Sequence, residues 1–530
     1  MNLSNTQFVF DGKLKRNLFI GMGIGLVSLI LSAVGDDQFH TRFWSNFLHN
    51  SVFFTGISFM AMFFLSAQIT AFGGWITVVR RLWEAMSQFM VVGLLLIGVI
   101  VIGVWGHFHH LYHWNTPGIT DPANPIYDKI LAGKAGFLNP TFFTVATVGF
   151  LAIWYYWAKN LRATSIAQDT TENESFDNYK RQRKWAASYL PVWGFLSSVF
   201  IWFITMSIDS HWYSTMFAWY SLASLFLAMI SLFIMMVLYL RSVGYMSYVS
   251  RDHLHDLGKF LFGISVFWTY LWFDQFMLIW YANNGEETIY FNERMTHYPV
   301  LFWGNLLMNF VAPFFILMRN DNKRKFGTLF FAAAIVFFGH WWDFFYMIKP
   351  GVRISAHEAA LHGGAHSSSL KPDAAPFGMT KADEKLPTVL AGVQEGHKPA
   401  EAAPQHTAEH PAEAPKAEAA HEAAPAAEAP AHAAEGHVTE GHAAEAAHGE
   451  HGEAHSGPDK SFKLGYTIPG LEEIGIMIGF LSLFLFFVFG QLSKASMVPV
   501  RDPYLEESLH HETGVMIDSE QAEKEGHDHH

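Results

Sequence analysis

The chain is 530 residues long, with a net charge of −13, 16% aromatic residues and no cysteine. That composition excludes disulfides and Cys-ligated zinc or iron–sulfur centres within the chain, and no basic patch invites nucleic acid. Ten apolar stretches exclude a soluble fold, since about twenty residues at about 1.5 Å each cross a hydrocarbon core of about 30 Å.

In chain order the spans lie near 17–35, 46–70, 87–108, 140–158, 189–208, 215–240, 259–281, 299–318, 327–348 and 470–491. The first follows Lys13, Lys15 and Arg16, the flank of a secretory signal. Its apolar run is long for a signal and no small-residue cleavage site follows, so it reads as the first helix. Trp and Tyr gather at span ends, as in Trp154-Tyr155-Tyr156-Trp157, where amphipathic rings prefer the interface. The third span ends in a His-rich run that includes His107, and the fifth ends with Asp209 and His211. The seventh carries Asp274, about 10 Å inside its end at Tyr281 by helix rise. The ninth carries His340 and Asp343, three apart and so on one helix face, which suits a hydrogen-bonded His–carboxylate pair. His49 and His297, at the ends of the second and eighth spans, are expected at the same level. At the opposite ends of the spans only Ser58, Ser66, Gln68 and Gln88 stand out, and no acidic relay is visible there.

The expected architecture is an all-α integral membrane protein with ten transmembrane helices. Acids and histidines recur near the outer ends of the second and fourth members of spans two to five and six to nine. That layout predicts two pseudo-repeated four-helix bundles plus two flanking helices. The divisions are 1–36 for the N-terminal segment and first helix, 37–213 and 214–350 for the bundles, and 470–493 for the tenth helix. Residues 351–469 form a His/Ala/Glu-rich insert of low complexity that cannot bury enough apolar surface to offset its ordering entropy. It reads as a solvated tether, with loose metal binding or proton buffering as the alternative. The segment 494–530 reads as a polar tail. Lys and Arg gather in the loops on the side of the N-terminus, such as Arg80, Arg81, Arg181, Arg183, Lys323 and Arg324. The positive-inside rule then places both termini in the cytoplasm and the insert in the periplasm of a bacterial inner membrane.

Ionisable groups inside spans are costly and mark ion, proton or ligand pathways. Asp209, His211, Asp274, His340, Asp343, His107 and His297 are therefore candidates for a proton pathway or quinol site near one face. Quinol oxidation needs an acceptor for each hydroxyl proton, and a histidine or carboxylate within hydrogen-bond reach supplies one. Helix capping by single interfacial residues is the competing reading. An ion-coupled transporter would instead want midplane polar groups on broken helices, and a haem b protein would want facing axial histidines. No residue is assigned as catalytic and no metal site is expected.

Four strings point to a family: Met206-Ser-Ile-Asp-Ser-His-Trp-Tyr-Ser-Thr-Met-Phe-Ala-Trp-Tyr220; Tyr270-Leu-Trp-Phe-Asp-Gln-Phe-Met-Leu-Ile-Trp-Tyr-Ala-Asn-Asn-Gly-Glu-Glu-Thr288; Gly339-His-Trp-Trp-Asp343 followed by Met347-Ile-Lys-Pro-Gly351; and Leu471-Glu-Glu-Ile-Gly-Ile-Met-Ile-Gly-Phe480. Together they resemble NrfD/polysulfide-reductase-type membrane subunits of alternative complex III, a quinol:cytochrome c oxidoreductase. Such complexes contain two paralogous ten-helix subunits, and the loop Lys129-Ile-Leu-Ala-Gly-Lys-Ala-Gly-Phe-Leu-Asn139 is most like the second of them. The resemblance implies a structural role and part of a periplasm-facing proton pathway, with catalysis carried by the assembly. It implies no cofactor in this chain, iron–sulfur clusters and c-type haems in partner subunits, and possible contact with quinone. The implied partners are the paralogous ten-helix subunit, an iron–sulfur subunit, c-type cytochromes and in some assemblies a terminal oxidase. Matching positions here are Asp209, His211, Asp274, His340 and Asp343. A quinone-binding anchor of a polysulfide-reductase-type complex is the nearest alternative.

Overall fold

A computed structural model describes residues 7–34, 36–37, 39–170, 176–364, 463 and 465–512, with the backbone alone for 357–364. Regular structure among these residues is helical apart from isolated bridge residues, Gln7 and Ser496 forming an antiparallel bridge. Ten helices are long and apolar enough to cross a membrane. They are α1 Gly12–Ala33, α2 Thr41–Thr70, α3 Gly74–Gly106, α4 Pro140–Asp169, α5 Asp177–Ile208, α6 Thr215–Ser242, α7 Arg251–Ala282, α8 Pro299–Leu317, α9 Phe326–Ala356 and α10 Leu471–Leu492. The chain is a multi-pass helical membrane protein.

Three helix ends depart from the sequence expectation, each for a polar reason. α3 starts thirteen residues before the expected 87 because Arg80, Arg81 and Glu84 are buried beside one another and tolerate the interior as a group. α5 starts at Asp177 rather than 189, its Lys- and Arg-rich first turns being good helix formers that need no apolar surroundings. The helix containing α9 runs on through Pro350 to Gly364, past the expected boundary at 350. Pro350 forfeits one backbone donor, but Val352 and Ser355 beyond it are buried, and the Ser355 hydroxyl donates to the Ile208 carbonyl at 3.3 Å. The expected tether between 365 and 462 lies outside the described residues.

α2 and α6 form the centre, with 83% and 89% of their most apolar stretch buried, against 22% for α1. α2 packs on α1, α3, α5, α6, α9 and α10; α6 packs on α2, α5, α7 and α9. Helices buried on every side read as apolar all round, and the polar groups they carry must be satisfied internally. α1 lies outside and rests on α10 through small residues. A Cβ on Gly25 would sit 2.4 Å from the Gly479 Cα, and Gly21 and Gly475 receive Ser482 and Ser28 in the same close manner. Backbones approach this closely only where side chains are absent.

The segment after α10 is not a free polar tail as far as residue 512. Met497 and Val498 are buried, and Asp502 pairs with Arg80 at 2.5 Å. The Ser508 hydroxyl donates to the Trp75 carbonyl at 2.7 Å. Asp502 thereby joins a buried charge cluster in which Arg80 and Arg81 meet Glu84, and Arg81 also meets Asp169. Residues 513–530 lie outside the described residues.

Candidate functional site

α9 presents two polar faces, and each meets a different set of helices. His340, Asp343 and Met347 fall at i, i+3 and i+7 on the side of α6, α7 and α8. Trp341, Phe345 and Lys349 fall on the other side, toward α2 and α10.

The first face holds a fully buried carboxylate. Asp343 Oδ1 accepts from the Tyr220 hydroxyl and from Asn305 Nδ2, the latter at 2.6 Å. Its Oδ2 accepts from Trp268 Nε1 at 3.1 Å. All three donors are neutral, and they come from α6, α8 and α7. His340, also fully buried, has Nδ1 2.9 Å from the Ser224 hydroxyl and 3.8 Å from Asp343 Oδ2. The expected His–carboxylate pair thus shares a helix face but is too long for a hydrogen bond, and Ser224 takes that place. Trp268 meets the His340 ring edge-on at 5.3 Å between centroids. Asn305 is aimed by Asn309, whose amide donates to Asn305 Oδ1 at 2.5 Å and to the Gly339 carbonyl at 3.0 Å. Asn309 lies in a π-helical stretch of α8, Leu307–Val311, just before Pro313. Pro313 cannot donate to the Asn309 carbonyl, which favours the wider turn. Gly339 is required here: a Cβ on it would lie 2.1 Å from Asn309 Oδ1.

Farther along α9, between Met347 and Gly351, stands an ion pair of different character. Asp209 meets the wholly buried Arg294 at 2.8 Å, and the same guanidinium nitrogen donates to the Met347 carbonyl at 3.2 Å. Arg294 belongs to a short helix, Gly285–His297, and its guanidinium lies 3.4 Å from the Tyr290 ring centroid. Tyr290 in turn stacks on Trp212 at 3.9 Å. Burial works against the Arg294 charge, but the Asp209 carboxylate and the surrounding rings outweigh it and hold the guanidinium above its ordinary range. Asp209 is therefore an anchor tying the end of α5 to α9.

The other predicted residues do not join this centre. His211 is half exposed and bonds Asp128 at 2.6 Å. Partial burial opposes the Asp128 charge, yet His211 and the amides of Leu131 and Ile130 prevail and hold its carboxyl below the usual range. His107 ends α3 in the left-handed region and is exposed, with Nδ1 3.4 Å from the Asn115 amide. His297 lies 3.5 Å from Glu293, one turn earlier on its own helix. His49 is buried and bonds the Trp341 carbonyl at 3.0 Å, on the second face of α9. Asp274 is partly exposed on the outer side of α7 and has no hydrogen-bond or ion-pair partner among the described residues. The expected single layer is thus a buried centre, an ion pair, a surface pair and four separate residues, because helix rotation as well as depth decides which side chains meet.

Sequence reasoning missed Tyr220, Ser224, Trp268, Asn305 and Arg294. Lone amides in an apolar span, such as Asn305 and Asn309, were the available signal. It also missed the second face of α9. There Lys349, fully buried, donates to the Ser45 hydroxyl at 2.7 Å. Nearby, Glu473 accepts from Arg42 at 2.8 Å and from Asn46 at 2.9 Å. At the opposite end of the bundle the expectation of poor polarity fails as well. Glu84 is fully buried, accepts from the Ser165 hydroxyl at 2.5 Å, and has Arg80 at 3.4 Å and Arg81 at 3.7 Å. Among the described residues no group of three or more His, Asp or Glu is placed to hold a metal ion. An apolar cavity of about 450 Å³ lies between α2, α5, α6 and α7, lined in part by Phe63, Trp193, Ser197, Trp219 and Phe267, away from Asp343.

No protein-family profile matches the chain, and no curated protein matches it in sequence.

Proposed function

We propose that this chain is an integral-membrane subunit of a respiratory quinol:cytochrome c oxidoreductase of the alternative complex III type, most like the second of its paralogous ten-helix subunits, in a bacterial inner membrane. In this reading both termini are cytoplasmic, helices α2–α5 and α6–α9 are pseudo-repeats, and iron–sulfur clusters and c-type haems reside in partner subunits. The motif strings support the assignment. The role within the assembly is structural, with one proton-exchanging centre near the periplasmic face.

The observation that carries the proton role is Asp343, a fully buried carboxylate held by three neutral donors. Its protonation breaks no ion pair. The Tyr220 hydroxyl and the His340 ring are groups through which a proton reaches or leaves it. Asp209, locked to Arg294, bounds the centre on its outer side instead of carrying protons.

Two measurements test the two halves separately. A quinol-reduced-minus-oxidised visible spectrum of the assembly, purified through a C-terminal tag, is expected to show c-type haem reduced by quinol. A colourless assembly that keeps its neighbours would sink the respiratory assignment. In proteoliposomes of the same assembly, Asp343→Asn is expected to lower quinol-linked proton release about tenfold, a conservative figure beside the usual loss of an acid–base group, with protein composition unchanged. Normal release in that variant reduces Asp343 to a packing residue.

A further inference from the structure

We propose that the outer face of α7 around Asp274 docks a transmembrane helix of a different protein chain, one that places a basic side chain against this carboxylate. This docking face is independent of the respiratory assignment.

α7 turns Leu261, Trp268, Leu271, Gln275 and Ile279 inward. Its opposite side exposes Tyr270, Phe273, Met277, Leu278 and Tyr281. Asp274 sits among these residues, one turn from Tyr270 and Leu278, and about 10 Å inside the helix end by the rise per residue. An aspartate stem is too short to lift its carboxylate over that distance. Lipid chains supply no donor, so an acid facing them is unsatisfied.

The other acids deep in the spans are all provided for within the chain: Asp343 by three donors, Glu84 by Ser165 and two arginines, Glu473 by Arg42 and Asn46. Asp274 alone among these has no partner in the described residues. The same outer stripe continues two turns down to Phe267, which with Trp219 borders the cavity of about 450 Å³. The flank is concave below the charge, which suits a packed helix better than a smooth lipid surface.

A second copy of this chain does not supply the missing charge. Between Lys259 and Ala282 α7 contains no Lys, Arg or His, and a two-fold contact through this face sets one Asp274 near the other. The occupant that charge complementarity selects is a heterologous helix with Lys, Arg or His at matching depth.

The test uses the full-length chain in its native membrane, with the photo-crosslinking residue p-benzoylphenylalanine at Met277 and a control at Phe19 on α1. Light is expected to give one defined adduct from Met277. Mass spectrometry of that adduct should find a transmembrane peptide with a basic residue within one turn of the joined site. Asp274→Lys is expected to cut both the adduct and co-purification of that partner at least tenfold while Asp274→Glu retains them. Adducts with lipid alone, a joined helix without a basic residue, or unchanged co-purification of Asp274→Lys overturns the proposal. If Asp274→Lys fails to accumulate, Asp274→Leu replaces it: loss of the partner supports the proposal, and full retention overturns it.

Discussion

The Asp209 carboxylate lies against Gly351, about two helical turns along α9 from Asp343, and their neighbours give the two acids different chemistry. Asp209 compensates the charge of the buried Arg294 guanidinium, and removing one partner of such a pair strands the other. Asp209→Asn is therefore expected to cost about 3–5 kcal/mol of stability, the usual loss when one partner of a buried pair is removed. Asp209→Asn/Arg294→Met should recover part of it, read by thermal unfolding in detergent. His109, just beyond α3, gives a pH-dependent case. Burial pushes its imidazole down to about 4 from the ordinary 6.5, despite a hydrogen bond to the Ile100 carbonyl. The folded chain keeps this ring neutral while the unfolded chain protonates it sooner. Its contribution is complete above pH 6.5 and is lost as pH falls toward about 4, roughly 3 kcal/mol in all. Amide-exchange protection in residues 107–115, corrected for the intrinsic pH dependence of exchange, should fall across that window, and His109→Gln should weaken that fall.

At the scale of helices, the α1–α10 contact is the simplest to test. The chain has no cysteine, so a pair introduced as Gly21→Cys and Ser482→Cys stands alone. The Cβ positions there are 3.0 Å apart, slightly inside the disulfide range of about 3.5–4.5 Å, and a small shift closes the bond. Mild oxidation should give a single faster-migrating band on gels, absent from either single variant. Hydropathy made the ten helices legible, because the cost of exposing backbone to lipid forces long apolar runs. It misplaced α3 because buried Arg80, Arg81 and Glu84 satisfy one another, a pairing that no sliding window registers. It located His340 and Asp343 on one face but could not reveal Tyr220, Trp268 and Asn305, which arrive from three other helices. Asp274 was expected in the same layer, but it turns to the outer side of α7, since a periodicity in acids alone does not say which side of a helix meets the bundle.

For the whole molecule, the long segment between α9 and α10 is closed by contacts near both of its ends. Arg42 bonds Glu473 at the start of α10, and Ser45 bonds Lys349 near the end of α9. Replacing residues 365–460 by a Gly/Ser linker of about twenty residues is expected to leave expression and thermal stability within about 1–2 kcal/mol of the parent, since loop-closure entropy changes slowly with length. A collapse of stability on that replacement would show that the segment does more than connect. Arg42, Ser45 and Asn46 all belong to α2, the helix on which six others lean. A pull on the connecting segment, whether from a bound partner or from crowding at the membrane surface, is thus borne at the outer end of α2. The bundle takes such a load at its central post.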